Sequence, residues 1–295
     1  MKIGFIGLGR MGMNMVLNLL DKRHIVVAYN RRADKVKECV KNGAIGAYSL
    51  KEMTSKLGKN RVIWVMVPSN AVDSILEELV PFLDRGDIII DGGNSYFNDS
   101  IKRYKMLRKK GIEFLDCGTS GGIYGARHGA CMMIGGDKKT FKKVEVLFKN
   151  MCVKNGYGYI GGSGSGHFVK MVHNGIEYGM MSAIGEGMQA VKESKFNVDM
   201  KEVAKVYSHG SIIESRLMSW LEDSYKKKGY LDKIKGSVPR GETEKEMESL
   251  EKMADMPVLR AARKMRVKTR KKPEYRGKLI SAMRNQFGGH KVNKI

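Results

Sequence analysis

The chain has 295 residues, of which 42% are hydrophobic, and its 54 basic and 31 acidic side chains give a net charge of +23. This apolar content supports one large or two ordinary folded domains and excludes an intrinsically disordered chain. No apolar run is long enough to span a membrane, and the first residues lack the pattern of a signal peptide, so a cytoplasmic protein is expected. The cysteines stand far apart without a CxxC motif, which indicates reduced thiols: Cys39, Cys117, Cys131 and Cys152.

The strong positive charge allows two interpretations, a nucleic-acid partner or an enzyme with an anionic substrate. The basic residues are dispersed through most of the chain and concentrate only in RAARKMRVKTRKK, residues 260–272. There is no zinc-finger spacing, no RNP-like aromatic motif and no basic-region heptad. The sequence therefore favours the enzyme, and a basic nucleic-acid-binding protein is kept as the alternative.

Strand and helix patterns alternate along the first part of the chain. Seven segments have the composition of buried strands: residues 2–7, 25–30, 61–68, 87–93, 112–118, 130–136 and 153–161. Amphipathic segments separate most of them, which predicts βαβ units and a mostly parallel sheet. Beyond the glycine-rich stretch GYIGGSGSG the pattern is helical. We therefore expect a Rossmann-like α/β domain over residues 1–162, followed by an all-helical domain over 163–295 that ends in a tail from residue 285.

A glycine motif follows the first predicted strand. GLGRMG matches G-x-G-x-x-G where a dinucleotide site requires it, between a strand and a helix. Gly7 permits a tight turn, Gly9 lets the backbone approach a pyrophosphate, and Gly12 allows close packing of helix and strand. The predicted cofactor-binding residues of this motif are Gly7, Leu8, Gly9, Arg10, Met11 and Gly12.

The end of the second predicted strand bears on the choice of cofactor. Enzymes that use NAD usually have an acidic residue there, which binds the ribose 2′-hydroxyl. This chain has Asn30, followed by Arg31 and Arg32. No carboxylate would repel a 2′-phosphate, and two guanidiniums can pair with it. The sequence therefore favours NADP over NAD as cofactor.

Two further stretches follow predicted strands, where ligands of open α/β sheets bind. They lie at strand ends or in loops: DGGNS at 91–95 contains Asn94, and TSGGIYGARHG at 119–129 contains Ser120, Gly121 and Gly122. A hydroxyl and bare backbone amides can bind a carboxylate or phosphate. Each stretch on its own is equally consistent with a structural turn.

A polar stripe occupies a helical stretch just past the predicted domain junction. Its members recur at i, i+3, i+4, i+7 and i+8, where a core-facing helix would carry apolar residues: Lys170, His173, Asn174, Glu177 and Tyr178. Lys170 could take a proton if its pKa is lowered, and Glu177 could donate one if its pKa is raised. Val169, Val172, Ile176, Met180 and Ala183 form the flank that reads as the packing face. The alternative for the stripe is a solvated surface.

Together these motifs resemble the short form of the decarboxylating 6-phosphogluconate dehydrogenase family over nearly the whole chain. They occur in the expected order as GLGRMG, AYNRR, MVP, IIIDGGNS, SGG with GAR, GHFVKMVHNGIEYG and RNQFGGH. The resemblance implies that 6-phospho-D-gluconate is oxidised at C3 by NADP, loses CO2 and is protonated to ribulose 5-phosphate, a step of the pentose phosphate pathway. No metal is implied, because hydrogen bonds can stabilise the enolate.

The resemblance also implies residue roles. Lys170 would be the general base and Glu177 the acid that protonates the enediol, with His173 and Asn174 beside them. The implied substrate-binding residues are Asn94, Ser120, Gly121, Gly122, His173, Asn174, Tyr178, Arg266, Arg284 and His290. Further implied cofactor-binding residues are Met66, Val67, Pro68 and Asn94.

Two of these residues imply a homo-oligomer, a dimer or a tetramer. Arg284 and His290 match residues that the family brings across from a neighbouring subunit to the substrate phosphate.

One stretch departs from the family, because its KGTGxW-like segment is replaced here by IKGSVPRGETEKE. Either Lys235 or Arg240 could replace the family's lysine. The closest rival function is another β-hydroxyacid dehydrogenase, of the 3-hydroxyisobutyrate or glyoxylate-reductase type.

Overall fold

The structure is a computed structural model and describes residues 1–241 and 243–295. The chain forms two compact units, Met1–Lys170 and Met171–Ile295. None of the described helices is long and apolar enough to cross a membrane.

The first unit is built on one eight-stranded sheet with the strand order β3-β2-β1-β4-β5-β6-β7-β8. Neighbouring strands are parallel except β6 and β7, which are antiparallel. The strands are β1 Lys2–Ile6, β2 Ile25–Tyr29, β3 Ile45–Ala47, β4 Val62–Val65, β5 Ile88–Asp91, β6 Glu113–Ser120, β7 Ala130–Gly136 and β8 Cys152–Gly161. The predicted Rossmann-like fold with a mostly parallel sheet is confirmed.

Both faces of this sheet are buried, which explains why its strands are continuous apolar runs. Along β4, Trp64 packs in one hydrophobic cluster, while Ile63 and Val65 pack in the cluster on the opposite face. The covering helices are α1 Arg10–Asp21, α2 Ala33–Lys41, α3 Leu50–Leu57, α4 Val72–Leu79, α5 Phe97–Lys109, α6 Gly122–His128 and α7 Lys138–Met151. The alternation of side chains along a strand thus supplies two cores from one apolar run.

Three elements of the first unit depart from the sequence prediction. The short strand β3 and the helix α3 were not predicted, although Ser49 caps the start of α3 and the Glu52 carboxylate accepts the backbone N–H of Tyr48. In the stretch 119–129, β6 continues to Ser120 and the helix α6 follows. This helix was not predicted, because the glycines of the stretch favour a turn over a helix.

The second unit is helical, as predicted. Its helices are α8 Ser165–Glu193, which begins in the first unit, α9 Met200–Tyr207, α10 Arg216–Lys226, α11 Glu244–Met253, α12 Pro257–Lys271 and α13 Tyr275–Gly288. Methionine and leucine dominate its core, which includes Met181, Met218, Leu221, Leu279 and Met283. Unbranched methionine side chains fill the irregular spaces between helices that cross at different angles.

The C-terminal residues are more ordered than a tail. Residues 285–288 form the last turn of α13, which ends where Gly289 takes the left-handed conformation (φ 59°). The backbone N–H of Lys235 donates to the carbonyl oxygen of Asn293 at 2.8 Å, and Ile234 pairs with Lys294 in an antiparallel bridge. The tail prediction was therefore wrong, because these polar residues find backbone partners in the segment before α11.

Candidate active site

The glycine motif forms the turn between β1 and α1. Gly7 has φ 98°, and a side chain there would clash with the Met66 carbonyl oxygen. A methyl group on Gly12 would lie 2.0 Å from the Gly7 carbonyl oxygen, whereas one on Gly9 would meet no atom within 4 Å. Gly9 precedes α1 without a side-chain cap. The backbone amides that open α1 are therefore placed to receive a pyrophosphate.

Asn30 closes this turn, because its side-chain oxygen accepts the backbone N–H of Leu8 at 3.0 Å. The two following arginines differ. Arg32 forms two hydrogen bonds with the Asp34 carboxylate, at 3.2 and 2.6 Å, while Arg31 is exposed. The Asp34 hydrogen bond raises the pKa of Arg32. Of the two guanidiniums predicted to pair with a 2′-phosphate, one already has a carboxylate partner.

The loop that carries Asn94 is held by a buried ionic network. Asp91, at the end of β5, accepts the hydroxyl of Ser95 at 2.7 Å and the Arg103 guanidinium at 3.1 Å. Arg103 also donates to Asp73 at 2.6 Å. Burial opposes the charge of Arg103, but these carboxylates raise its pKa overall. Arg103 therefore fixes the path of the backbone around Asn94, a role that the sequence prediction missed.

The Ser120-Gly121-Gly122 stretch forms the turn between β6 and α6. Gly121 has φ 115° and Gly122 has φ 61°, both in the left-handed region. A methyl group on Gly121 would lie 3.1 Å from the Cα of Gly125, so the turn packs closely on α6. Glycine is required here because it adopts a positive φ without strain and leaves room for the close approach. Since glycine has no side chain, the backbone amides of the turn are not covered by one.

The start of α8 is anchored to the sheet, which fixes Lys170. The buried carboxylate of Asp116 accepts the backbone N–H groups of Gly164 at 2.7 Å and His167 at 3.0 Å. These are amides that the helix itself leaves unpaired. A methyl group on Gly118 would lie 2.4 Å from the Lys170 Cβ, so β6 and the lysine are in direct contact. Asp116 and Gly118 thus position the proposed base.

The polar stripe of α8 lies on its buried side. Asn174 and Tyr178 are buried, His173 and Glu177 are half-buried, and the His173 ring contacts the Asn174 side-chain oxygen at 3.3 Å. The predicted packing face is the more open one, since Ile176 is 56% exposed in the single chain. Within the single chain this flank is not covered, because the neighbouring helices supply polar and aromatic partners to the stripe instead.

Tyr178 is the centre of a cationic cluster in the second unit. The guanidinium carbon of Arg266 lies 3.4 Å from the centroid of its ring, and its hydroxyl lies 3.1 Å from the hydroxyl of Thr243. Arg266 is only 3% exposed, and its Nε has no hydrogen-bond partner among the described residues. Burial lowers the pKa of Arg266 to about 10, although Tyr178 partly offsets this effect. A buried guanidinium with an unmet donor can hydrogen-bond to an anion.

Arg284 borders the same cluster within the same chain. It donates to the Pro239 carbonyl oxygen at 2.9 Å, and burial lowers its pKa, an effect that the nearby Tyr178 and Glu177 only partly offset. A methyl group on Gly241 would lie 2.9 Å from Arg284 Nη2 and 3.7 Å from the Tyr178 hydroxyl. No neighbouring subunit is needed to bring Arg284 here, contrary to the expectation, because the buried face of α13 carries it into the unit's own core.

Three other sequence-predicted residues lie at the edge of the second unit. His290 is exposed beyond the end of α13, where its ring contacts Phe287 with 5.7 Å between centroids. Lys235 and Arg240 are also exposed. Arg240 stands next to Pro239 and contributes to lowering the pKa of Glu244, whose largest cause is the hydrogen bond from Arg270. Arg240 is therefore the closer of the two candidates for the missing family lysine.

Sequence comparison identifies the family. The profile described as the NAD-binding domain of 6-phosphogluconate dehydrogenase matches residues 2–161, and that of its C-terminal domain matches residues 166–194. The chain belongs to the 6-phosphogluconate dehydrogenase family. It is 46% identical, over the full length of both chains, to the Bacillus subtilis protein named "Putative 6-phosphogluconate dehydrogenase YqeC". It is also 37% identical to a NAD(+)-dependent decarboxylating 6-phosphogluconate dehydrogenase of Haloferax volcanii, over 99% of this chain and 98% of that one.

Solved structures agree with this family assignment. The Plasmodium falciparum 6-phosphogluconate dehydrogenase, whose structures include complexes with NADP+ and 6-phosphogluconate, superimposes with a TM-score of 0.82 at 31% identity. The match covers 91% of this chain and 62% of the Plasmodium chain. A 3-hydroxyisobutyrate dehydrogenase of Mycobacterium tuberculosis has a TM-score of 0.71 at 18% identity, which shows a shared fold alone. The family is a family of dehydrogenases with a nicotinamide-dinucleotide-binding domain.

Proposed function

We propose that this protein oxidises and decarboxylates 6-phospho-D-gluconate to ribulose 5-phosphate and CO2, with NADP as the oxidant. The observation that carries the proposal is the pair of buried arginines, Arg266 and Arg284, beside Tyr178. Tyr178 lies on α8, the helix that also bears Lys170 and Glu177. The phosphate and the hydroxyls of 6-phospho-D-gluconate match these two sets of groups in their chemistry. The arginines would bind the phosphate, and the stripe would hold the carbon chain.

The residues present fit a dinucleotide cofactor. The open Gly9, the uncapped start of α1 and the exposed Arg31 provide backbone amides and a guanidinium for phosphate groups. The cofactor, when bound, supplies the acceptor for the hydride that leaves C3. Arg31 favours NADP over NAD by charge, and the pairing of Arg32 with Asp34 limits that preference. Met66–Pro68 and Asn94 follow β4 and β5, at the carboxyl edge of the sheet where the cofactor is expected.

Proton movement is assigned to the α8 stripe. Lys170, as a neutral amine, would take the proton of the C3 hydroxyl while the C3 hydrogen leaves as a hydride. The resulting β-keto acid breaks its C1–C2 bond to release CO2, and Glu177 would return a proton to the enediol at the carbon that lost the carboxylate. His173 and Asn174 would hold the substrate hydroxyls by hydrogen bonds. Ser120 and the backbone of Gly121 and Gly122 would bind its carboxylate end.

The test is turnover of 6-phosphogluconate, followed by reduced-cofactor absorbance and released CO2, with NADP and NAD offered in parallel. We expect activity with NADP, with Lys170→Met losing oxidation and Glu177→Gln impairing the protonation step. Near-normal turnover by Lys170→Met would contradict the assignment of the base.

Oxidation of 3-hydroxyisobutyrate but not of 6-phosphogluconate would favour the rival dehydrogenase, and faster turnover with NAD would overturn the cofactor assignment. No turnover together with salt-sensitive DNA or RNA binding would favour the nucleic-acid alternative.

We also infer that the protein is a homo-oligomer that uses the apolar flank of α8. Ile176 and Met180 lie one turn apart and are 56% and 42% exposed, and Val258, next to Gly179, is 70% exposed. Adjacent large apolar side chains on a surface mark an interaction site. A second copy of the chain would cover them.

A further inference from the structure

A second arginine–carboxylate arrangement adjoins the cationic cluster. Arg270 of α12 donates to both carboxylate oxygens of Glu244, the first residue of α11, through Nη2 and, at 3.1 Å, through Nη1. Its Nε donates to the Val238 carbonyl oxygen at 3.1 Å. The Glu244 side chain is 8% exposed, and its pair with Arg270 is the fork-to-fork geometry that is strongest between these groups.

This pair fixes the segment made up of residues 238–241 and Thr243. The backbone N–H of Val238 donates to the Thr269 hydroxyl at 3.1 Å, while Arg270 takes the carbonyl of the same residue. At the other end of the segment, Glu244 closes a turn by donating its backbone N–H to Gly241 at 3.2 Å. The Arg270–Glu244 pair therefore ties together both ends of the segment.

The segment in turn holds the two groups assigned to the phosphate. Its Pro239 carbonyl accepts Arg284 at 2.9 Å, and its Thr243 hydroxyl contacts the Tyr178 hydroxyl at 3.1 Å. Tyr178 is the ring on which Arg266 lies. A shift of the segment would thus displace Arg284 and Tyr178 together, and both are assigned to the phosphate end of the site.

Charge supports the same role. Burial is the main reason that the pKa of Arg284 is lowered. The positive charge of Arg270 lowers it further, while the negative charge of Glu244 raises it. Because Arg270 is paired with Glu244, it adds less net positive charge beside Arg266 and Arg284 than an unpaired arginine would. This arrangement stands in the stretch where the chain departs from the family's KGTGxW-like segment.

We propose that Glu244 and Arg270 are a positioning pair for the phosphate-binding end of the substrate site, acting through Pro239 and Thr243 on Arg284 and Tyr178. The inference rests on the proposed function, since it names the support of that same site. Neither residue is assigned contact with the reacting atoms. Loss of the pair should weaken binding of the phosphate end and leave the chemical step nearly intact.

The experiment compares two matched variants, Glu244→Gln and Glu251→Gln. Glu251 forms a similar double hydrogen bond with Arg263, at 2.7 and 3.0 Å, and also joins α11 to α12, near the other end of α11. We expect Glu244→Gln to raise KM for 6-phosphogluconate about tenfold and to keep kcat within about twofold of the wild-type value. A tenfold change corresponds to about 1.4 kcal/mol, and breaking a buried charge pair usually costs at least that much free energy. Glu251→Gln should leave both constants unchanged, and Glu244→Asp should recover part of the lost affinity.

A second readout does not depend on turnover. Inorganic phosphate is titrated into each full-length protein by calorimetry, and Glu244→Gln should weaken its binding by a factor similar to the change in KM. Arg270→Lys, which keeps the charge but loses the fork, should act in the same direction if Glu244→Gln fails to fold.

Several outcomes would overturn the proposal. Equal changes in KM for Glu244→Gln and Glu251→Gln, or a lower melting temperature for Glu244→Gln with unchanged KM and phosphate affinity, would show a structural role only. If the wild-type protein binds phosphate but does not oxidise 6-phosphogluconate, the proposed function fails while the phosphate titration still decides the role of the pair. A wild-type protein that does not bind phosphate would contradict both.

Discussion

At the scale of single residues, Arg266 shows most clearly how function conflicts with stability. Its guanidinium is buried against the Tyr178 ring, its Nε lacks a partner among the described residues, and burial lowers its pKa to about 10. Taking a cation out of water without pairing it costs free energy in the folded protein. Such a residue is retained when a ligand supplies the missing charge.

Replacing this arginine should therefore have opposite effects on stability and binding. We expect Arg266→Met to raise the free energy of unfolding by about 1 kcal/mol or more, because a flexible apolar side chain removes a buried charge whose desolvation is only partly offset by its neighbours. The same change should raise KM for 6-phosphogluconate at least about tenfold, as expected for losing hydrogen bonds to a charged group. Urea denaturation and steady-state kinetics measure the two effects. A variant that is less stable than wild type would contradict the assignment of strain to Arg266.

At the scale of elements, the anchoring of α8 to the sheet matters most. The helix begins after a glycine-rich stretch that provides no side-chain cap of its own, and the cap comes from Asp116, 48 residues before Gly164 in sequence. A local sequence pattern cannot show this partner. By contrast, the caps of α3 and α7 at Ser49 and Asp137 are local and readable.

The two kinds of cap provide a comparison. Asp116→Ala should lower the free energy of unfolding by about 2 kcal/mol, because two helix amides lose a buried carboxylate acceptor. It should also lower kcat, because Lys170 follows within two turns. Asp137→Ala removes the cap of α7, which accepts from Lys139 at 2.8 Å, and should cost stability without changing kcat. Denaturant titration and kinetics of both variants test this, and unchanged kcat in Asp116→Ala would show that Lys170 does not depend on the anchor.

At the scale of the whole molecule, charge and surface bear on its partners. The net charge of +23 is the feature that first raised a nucleic-acid partner. Part of the basic segment 260–272 is accounted for inside the second unit, where Arg263, Arg266 and Arg270 have buried or paired positions. The other basic residues of that segment and the exposed apolar flank of α8 are surface features to which a further partner or a second copy of the chain could bind.

The apolar flank leads to a prediction about assembly. Ile176→Glu should shift the protein from oligomer to monomer, because a carboxylate cannot be buried at an apolar contact without a partner. Val146→Glu is a matched control on α7, where the side chain is 42% exposed in the first unit, and it should leave the assembly unchanged. Light scattering after size-exclusion chromatography distinguishes these results. A monomeric wild-type protein would refute the inferred oligomer.

The amino-acid sequence by itself determined the fold class, the dinucleotide motif and the family. These depend on local patterns: apolar runs of strand length, glycines at fixed offsets and the polar stripe on one helix. Its errors also have a local cause, since α6 and the last turn of α13 lie in glycine-rich or polar stretches that read as loop and tail.

Only the tertiary structure decided which groups meet. The Asp116 anchor, the Arg103 support, the cis position of Arg284 and the Glu244–Arg270 pair each join residues far apart in sequence. Which face of α8 is buried was also decided this way, because burial depends on what the neighbouring helices present. Periodicity defines the faces of a helix, but the chemistry of its partners selects the one that is covered.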